Sequence, residues 1–336
     1  MLISEIGGEV GLIGRLRETY GSPAVDGLSL PIGDDAAILD VPSGQQVVVT
    51  TDLLIESVHF RRDWSDPYSI GWKAAAVNLS DMAAMGAVPT FTFVSLALPP
   101  EETVESVERL YDGLCDCLGR YGSKLAGGDT NSTPGGLVLN ITQIGTIPAG
   151  QALKRTGAKV GDILLVTGTL GSSAIGQALL EQQGVLKAEK ICRDLIQTHR
   201  RPQPRIVAAL AARETGKVHA CMDLSDGLAA DLPKLCAASG VGARVEVSRL
   251  PLSEILTATA DEMEWSGSDF ALRGGEDYEL LLAVAPSDVD EVSAAVTATG
   301  TNLTRIGEIT RNGLHYVDAE GVDLAQPGTG WDHFTS

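Results

Sequence analysis

The residues in this chain that could do chemistry are acids. Asp34 with Asp35, Asp52, Asp81, Asp129, Asp223 with Asp226, and Glu276 with Asp277 form six groups. Most lie beside Gly, Ser or Thr at the end of an apolar segment. Any one of them also reads as a turn or cap residue, since short acids accept from nearby backbone N–H groups. As a set they say more. T-T-D (Thr50 to Asp52) and C-M-D (Cys221 to Asp223) read as the ends of strands, where sites gather in α/β folds. Two carboxylates about 5 Å apart repel by roughly 3 kcal/mol at an effective dielectric near 20, a cost that bound cations remove. All-oxygen ligands select hard ions, Mg²⁺ above all, and Mg²⁺ prefers to bridge carboxylates to phosphates.

Phosphate binding needs backbone N–H groups and positive charge. Lys154 and Arg155 could supply the charge, and Gly127 and Gly128 the N–H groups. There is no G-x-x-x-x-G-K-[ST] and no G-x-G-x-x-G, so neither a P-loop nor a dinucleotide fingerprint is present. G-T-L-G-S-S-A-I-G has the wrong spacing and reads as a strand-to-helix turn. His59 is a lone loop histidine. Trp331, in G-W-D-H-F, could anchor the tail or stack on a flat ligand.

One stretch must position much of this. Trp72 to Pro89 reads as a helix, with Asp66 and Pro67 as cap and first-turn proline upstream and Gly86 and Pro89 as the stop. Ala74, Val77, Met82 and Met85 form an apolar stripe. Asn78 and Asp81 share a face, and a buried carboxylate there needs a partner. The expected partner of Asp81 is a metal ion shared with other acids.

The remaining elements follow in order. A helix is expected over Leu2 to Tyr20, a strand over Gln46 to Thr50, an exposed connection from Leu53 to Trp64, and a strand over Thr90 to Leu98. Glu101 to Tyr121 reads as a helix with Val104, Val107, Leu110, Leu114 and Leu118 inward. Gly127 to Gly136 reads as a turn-rich loop, and Leu137 to Ile147 as a strand. Near Pro148 the character shifts, which sets domains at 1–148 and 149–336. In the second, strands are expected at Ile163–Thr167, Lys217–Met222, Ala243–Val247, Leu303–Ile309 and Gly313–Val317, with an irregular stretch before Arg273. The mixture favours an α/β fold with mixed α+β sheets in two lobes.

Composition removes other classes. The 336 residues allow two domains, and the net charge of −19 repels nucleic acid and anionic membranes. The N-terminus lacks a signal-peptide pattern, and no run of eighteen apolar residues occurs. Five scattered cysteines without C-x-x-C or zinc spacing suit a reduced, cytoplasmic protein.

Eight strings occur in order: G-D-D-A-A-I, T-T-D-x-x-x-x-x-x-H-F, K-A-x-A-V-N-L-S-D-M-A-A-M-G-A-x-P, G-G-D-T, K-R-T-G-A-K-x-G-D, D-L-S-D-G-L, G-G-E-D-Y-E-L and G-W-D-H-F. Over nearly its whole length the chain resembles the thiamine-monophosphate kinase family. Part of the acid pattern is shared with aminoimidazole ribonucleotide synthetase, selenophosphate synthetase and the hydrogenase-maturation ATPase. The resemblance implies a two-domain aminoimidazole ribonucleotide synthetase-like fold and a homodimer joined through the N-terminal domains. It implies transfer of the γ-phosphoryl group of ATP to thiamine monophosphate with several Mg²⁺ ions. Asp35, Thr50, Thr51, Asp52, Asp81, Asp129, Asp223 and Asp226 would hold Mg²⁺, with Asp34 not separable from Asp35. Tyr111, Gly128, Asp129, Arg155 and Ser225 would contact ATP. His59, Glu276 and Trp331 would contact thiamine monophosphate. The C-terminal domain would complete the ATP and substrate site. The alternatives are a sister ATP-dependent synthetase and a non-catalytic nucleotide-binding relative.

Overall fold

A computed structural model describes residues 1–32 and 36–328. The chain divides into two compact units, Met1–Met82 with Val88–Gly150, and Gln151–Ser336 with Ala83–Ala87. No described helix is long and apolar enough to cross a membrane.

In the first unit a short 3-10 turn, Ile3–Ile6, precedes helix α1 (Gly8–Tyr20). Gly7, at φ 98°, breaks what the sequence suggested as one helix. A ribbon, β1 (Leu28–Leu30) with β2 (Ile38–Leu39), leads to β3 (Gln45–Ile55), α2 (Pro67–Ala84), β4 (Val88–Leu98), α3 (Val104–Arg120), β5 (Lys124–Ser132) and β6 (Val138–Pro148). The main sheet has the order β3-β6-β4-β5. Only β4 and β5 are parallel, as the intervening α3 crossover requires.

Two expectations change here. Asp52 does not end its strand, because β3 continues to Ile55 in unbroken register with β6. The glycine-rich G-G-D-T-N-S is not loop but most of β5, an edge strand. Turn-type composition misled there because Gly127 and Gly128 serve a close approach. A Cβ on Gly128 would lie 2.0 Å from the Val94 carbonyl oxygen, and one on Gly127 would lie 2.8 Å from the Phe93 ring.

Register divides the sheet's two faces. Asp52, Ile141, Val94 and Gly128 form one cross-strand row, and Leu53, Asn140, Ser95 and Asp129 the next. Adjacent rows face opposite ways. Leu54, Leu139, Ile141, Val94 and Leu96 are all buried.

Helix α2 has more than a stripe inside. Residues from Ile70 to Ala84 other than Asp81 are buried around its circumference, as expected for an Ala-rich central helix. Asp66 caps it, accepting from the Ser69 N–H at 3.1 Å. It crosses α3 backbone to backbone: a Cβ on Gly71 would lie 1.9 Å from the Leu110 carbonyl oxygen, and one on Gly113 would lie 1.9 Å from that of Tyr68.

The second unit contains β7 (Ile163–Thr167), α4 (Ser172–Gln183), α5 (Val185–Arg200), α6 (Ile206–Glu214), β8 (Val218–Leu224), α7 (Leu228–Ser239), β9 (Gly242–Glu246), α8 (Glu254–Glu262), α9 (Gly267–Arg273), β10 (Glu279–Val284), α10 (Val289–Thr297), β11 (Leu303–Thr310) and β12 (Leu314–Val317). Its sheet runs β12-β9-β11-β7-β10-β8, mixed because β12 is parallel to β9. Strands β7 and β10 are buried along their whole length. The stretch expected to be irregular holds α8 and α9. Ser253 and Ser266 cap them, accepting from the N–H groups of Leu256 and Asp269.

Candidate functional site

In the first unit the fold gathers three of the residues that sequence singled out. Thr50 and Asp52 lie two apart on β3, so they share the face turned toward the helices. Asp81 comes from α2, and the Thr50 hydroxyl donates to its Oδ2. The Asp52 carboxyl is pushed up to about 7, first by burial and then by the negative charge of Asp81. Among the described residues, no cation is among the groups acting on it. The cluster therefore offers a hydroxyl and two carboxylates that oppose each other's ionisation. Such an all-oxygen set fits a hard divalent cation and not zinc. Among the described residues no three Asp, Glu, His or Cys side chains form a ready-made metal site. Asp34 and Asp35 lie outside the described residues.

Other members of the set are placed differently. Thr51 is on the opposite face, where its Oγ1 accepts from Asn140 Nδ2 at 3.1 Å and from Thr142 Oγ1 at 3.2 Å. Asp129 shares that opposite face by its register with Ser95, is exposed, and accepts from Asn131 Nδ2 at 3.2 Å. The structure thus sets Thr51 and Asp129 across the sheet from Asp52 and Asp81. Tyr111 is buried on α3 with its ring 5.4 Å from that of Tyr20, and burial pushes its hydroxyl pKa up. His59 lies on the loop after β3, and its Nδ1 accepts the Ile55 N–H at 3.1 Å. That bond places the ring proton of the neutral form on Nε2.

In the second unit Asp223 is buried near the end of β8, in register with Leu280. The following loop turns on a residue that sequence reading did not single out. Asp231, in the first turn of α7, is buried and accepts the N–H groups of Ser225 and Asp226 at 3.0 and 2.9 Å. Lys234 Nζ joins this group, 2.5 Å from Asp226 Oδ2 and 2.7 Å from Asp231 Oδ1. The signal available in sequence was the acid five positions after Asp226, at a helix start. Gly227, at φ 98°, lets this loop close against Arg273 and Gly274.

The G-G-E-D-Y loop packs on the same segment. Glu276 donates its N–H to the Ser225 carbonyl at 2.7 Å, and Tyr278 donates to that of Leu224 at 3.0 Å. Asp277 is a cap rather than a ligand, accepting from the N–H groups of Gly171 and Ser173 at the start of α4. Burial pushes its carboxyl up to about 7. The Glu276 Oε2 lies 3.2 Å from His199 Nδ1. Arg155 is exposed, on a segment whose Lys154 carbonyl accepts from the Cys221 N–H at 2.7 Å. Trp331 lies outside the described residues.

Comparison with known proteins places this arrangement. Residues 33–147 match the family described as AIR synthase related protein, N-terminal domain. Residues 159–319 match AIR synthase related protein, C-terminal domain. Thiamine-monophosphate kinase of Salmonella typhimurium is 40% identical over 334 residues, covering 98% of this chain and 99% of its own. Thiamine-monophosphate kinase from Stenotrophomonas maltophilia has a crystal structure with TM-score 0.80 at 38% identity, over 93% of this chain and 95% of that one. A structure described as AaThiL complexed with AMPPCP and TMP has TM-score 0.76 at 31% identity, over 99% of each chain. With these full-length relatives and two matching domains, the chain belongs to the thiamine-monophosphate kinase family, among the AIR synthase related proteins.

Proposed function

We infer that this protein transfers the γ-phosphoryl group of ATP to thiamine monophosphate, giving thiamine diphosphate and ADP. Full-length similarity to named kinases supports the activity, and so does a relative whose description names AMPPCP and TMP together. On the geometry, the observation that carries it is the Thr50–Asp52–Asp81 group, a hydroxyl and two carboxylates of which Asp81 raises the pKa of Asp52.

The acceptor is a phosphate oxygen, already anionic near neutral pH, so no general base is required. The task is to hold two anions in line and screen their charge. In the first unit Thr50, Asp52 and Asp81 would hold Mg²⁺, and in the second unit Asp223 and Asp226 would do so. Asp35, Thr51 and Asp129 join that set through the family resemblance alone. When bound, Mg²⁺ would neutralise charge that builds on the phosphoryl oxygens. Gly128, Arg155 and Ser225 are proposed to contact ATP, and His59, Glu276 and Trp331 thiamine monophosphate. Tyr111 is a weaker ATP contact than the sequence suggests, since its ring is inside α3's packing. The carboxylate of Glu276 suits the cationic end of the acceptor, and the Nε2–H of neutral His59 suits its phosphate.

The protein is also proposed to be a homodimer. Val47, Val49 and Leu53 on β3 are 47%, 60% and 49% exposed, and apolar residues open along one strand mark a contact surface. Five cysteines, all free, suit the cytoplasm.

ADP release measured separately with thiamine monophosphate, thiamine and formylglycinamidine ribonucleotide tests the assignment. Release with thiamine monophosphate alone is expected. Release with the ribonucleotide would transfer the protein to the synthetase branch, and none with any acceptor would make it a binding protein.

A further inference from the structure

The loop that carries Glu276 is fixed more firmly than a surface loop needs to be. Glu276 and Tyr278 have φ of 65° and 52°, a region that side-chain-bearing residues seldom occupy. Such backbone persists only where the surroundings over-determine it, and it gathers at functional sites. Here the surroundings are explicit. The N–H groups of Glu276 and Tyr278 are both bound to the Leu224–Ser225 segment, and the side chain of Asp277 is bound to the start of α4.

The Glu276 side chain is fixed as well. His199 lies in the last turn of α5 and Ser173 in the first turn of α4. His199 Nδ1 is 3.2 Å from Glu276 Oε2 and 3.2 Å from Ser173 Oγ. The His199 and Glu276 side chains are 5% and 24% exposed, and Ser173 is fully buried. The carboxylate thus rests against a buried group and is itself only partly exposed. Nδ1 is hydrogen-bonded to Ser173 Oγ, and the Glu276 carboxylate lies within ion-pair reach of the same nitrogen. Three segments far apart in sequence meet at this nitrogen, and none of the acid motifs includes His199.

We propose that His199 is a positioning residue for acceptor binding: its ring, held by Ser173 and within ion-pair reach of Oε2, sets the orientation in which Glu276 meets the cationic part of thiamine monophosphate. The proposal rests on Glu276 being an acceptor contact. It adds to that reading a residue that touches no substrate and acts through another.

The test uses the full-length protein with four variants: Glu276→Gln, His199→Leu, His199→Asn and Ser173→Ala. Binding of thiamine monophosphate is followed by calorimetry, alongside KM for each substrate, kcat and melting temperature. His199→Leu should weaken binding of thiamine monophosphate and raise its KM about tenfold, the scale of one polar contact to a charged group. The KM for ATP and kcat should stay within about twofold, well under that one-bond effect. His199→Asn keeps an N–H near the Nδ1 position and should recover most of the affinity. Ser173→Ala should give a smaller rise in the same constant, and it decides the matter if His199→Leu fails to fold. A rise with Glu276→Gln but none with His199→Leu or Ser173→Ala overturns the positioning role. Equal changes in both KM values with a lower melting temperature in both His199 variants also overturn it, since that is packing alone. An unchanged constant with Glu276→Gln instead sinks the acceptor-contact reading on which the proposal stands.

Discussion

The Thr50 hydroxyl on β3 donates to the Asp81 carboxylate on α2, joining the edge strand of the first sheet to its most buried helix. Asp52, two residues along the same strand face, is the third member of that contact group. A buried helix ordinarily excludes an acid on this face, because desolvation is costly. The hydroxyl and the two carboxylates are suitable oxygen donors for the cation proposed above.

Asp81→Asn removes a charge and little volume. Turnover should fall by at least about a hundredfold, the scale seen when a group that stabilises transferred charge is lost. The melting temperature without Mg²⁺ should hold or rise, since one of two opposed carboxylates is gone. Steady-state kinetics with thermal melts check both. Near-normal turnover at saturating Mg²⁺ would refute the role.

The raised carboxyl of Asp52 predicts a pH dependence. Its folded value is about 7 against an ordinary 3.8. Between those values the unfolded chain releases the proton while the folded chain keeps it. Its contribution to stability is therefore full at low pH and falls as pH rises through that window. Mg²⁺ favours the ionised folded form, so it should raise the melting temperature more at about pH 8 than at about pH 5. Asp52→Asn should remove most of that difference. An Mg²⁺ shift independent of pH would contradict the assignment.

The crossing of α2 and α3 depends on Gly71, where a Cβ would strike the Leu110 carbonyl oxygen at 1.9 Å. Gly71→Ala should destabilise by about 1–3 kcal/mol, the range for overpacking, although Ala is the better helix former. Gly14 in α1 has nothing within 4 Å of its Cβ position. Gly14→Ala should stabilise by about 0.5–1 kcal/mol. Urea unfolding of the two variants gives opposite signs if the packing is as described.

Val49 and Leu53 open the outer face of β3 to solvent. Val49→Asp places a charge on that face without touching the Thr50–Asp81 contact. Light scattering should show the proposed dimer for the unsubstituted protein and a monomer for Val49→Asp, with secondary structure retained. An unchanged dimer would place the interface elsewhere.

Much of this arrangement was legible from residue patterns. Apolar periodicity found α3 and most strands, because each buries one face, and the Ala-rich run marked α2, which is buried around its circumference. Asp52 and Asp81 stood out as acids in apolar surroundings, and they do meet. Two kinds of feature were hidden. Gly127 and Gly128 read as turn residues, because nothing local reveals that β4 lies close enough to exclude a side chain. The partners of fixed loops were hidden too. Asp277 and His199 act across tertiary contacts that their neighbours in sequence do not show, whereas Asp231 holds the loop five and six residues upstream of it. The same limit explains Thr51 and Asp129. Motif strings list them beside Asp52 and Asp81, while strand alternation sets them on the other face.

The most direct measurement follows the phosphoryl group itself. Protein incubated with Mg²⁺, thiamine monophosphate and ATP labelled at the γ-phosphorus should yield labelled thiamine diphosphate, with one ADP formed per labelled product. Label recovered only as inorganic phosphate, or ATP bound with no thiamine diphosphate formed, would contradict the central claim.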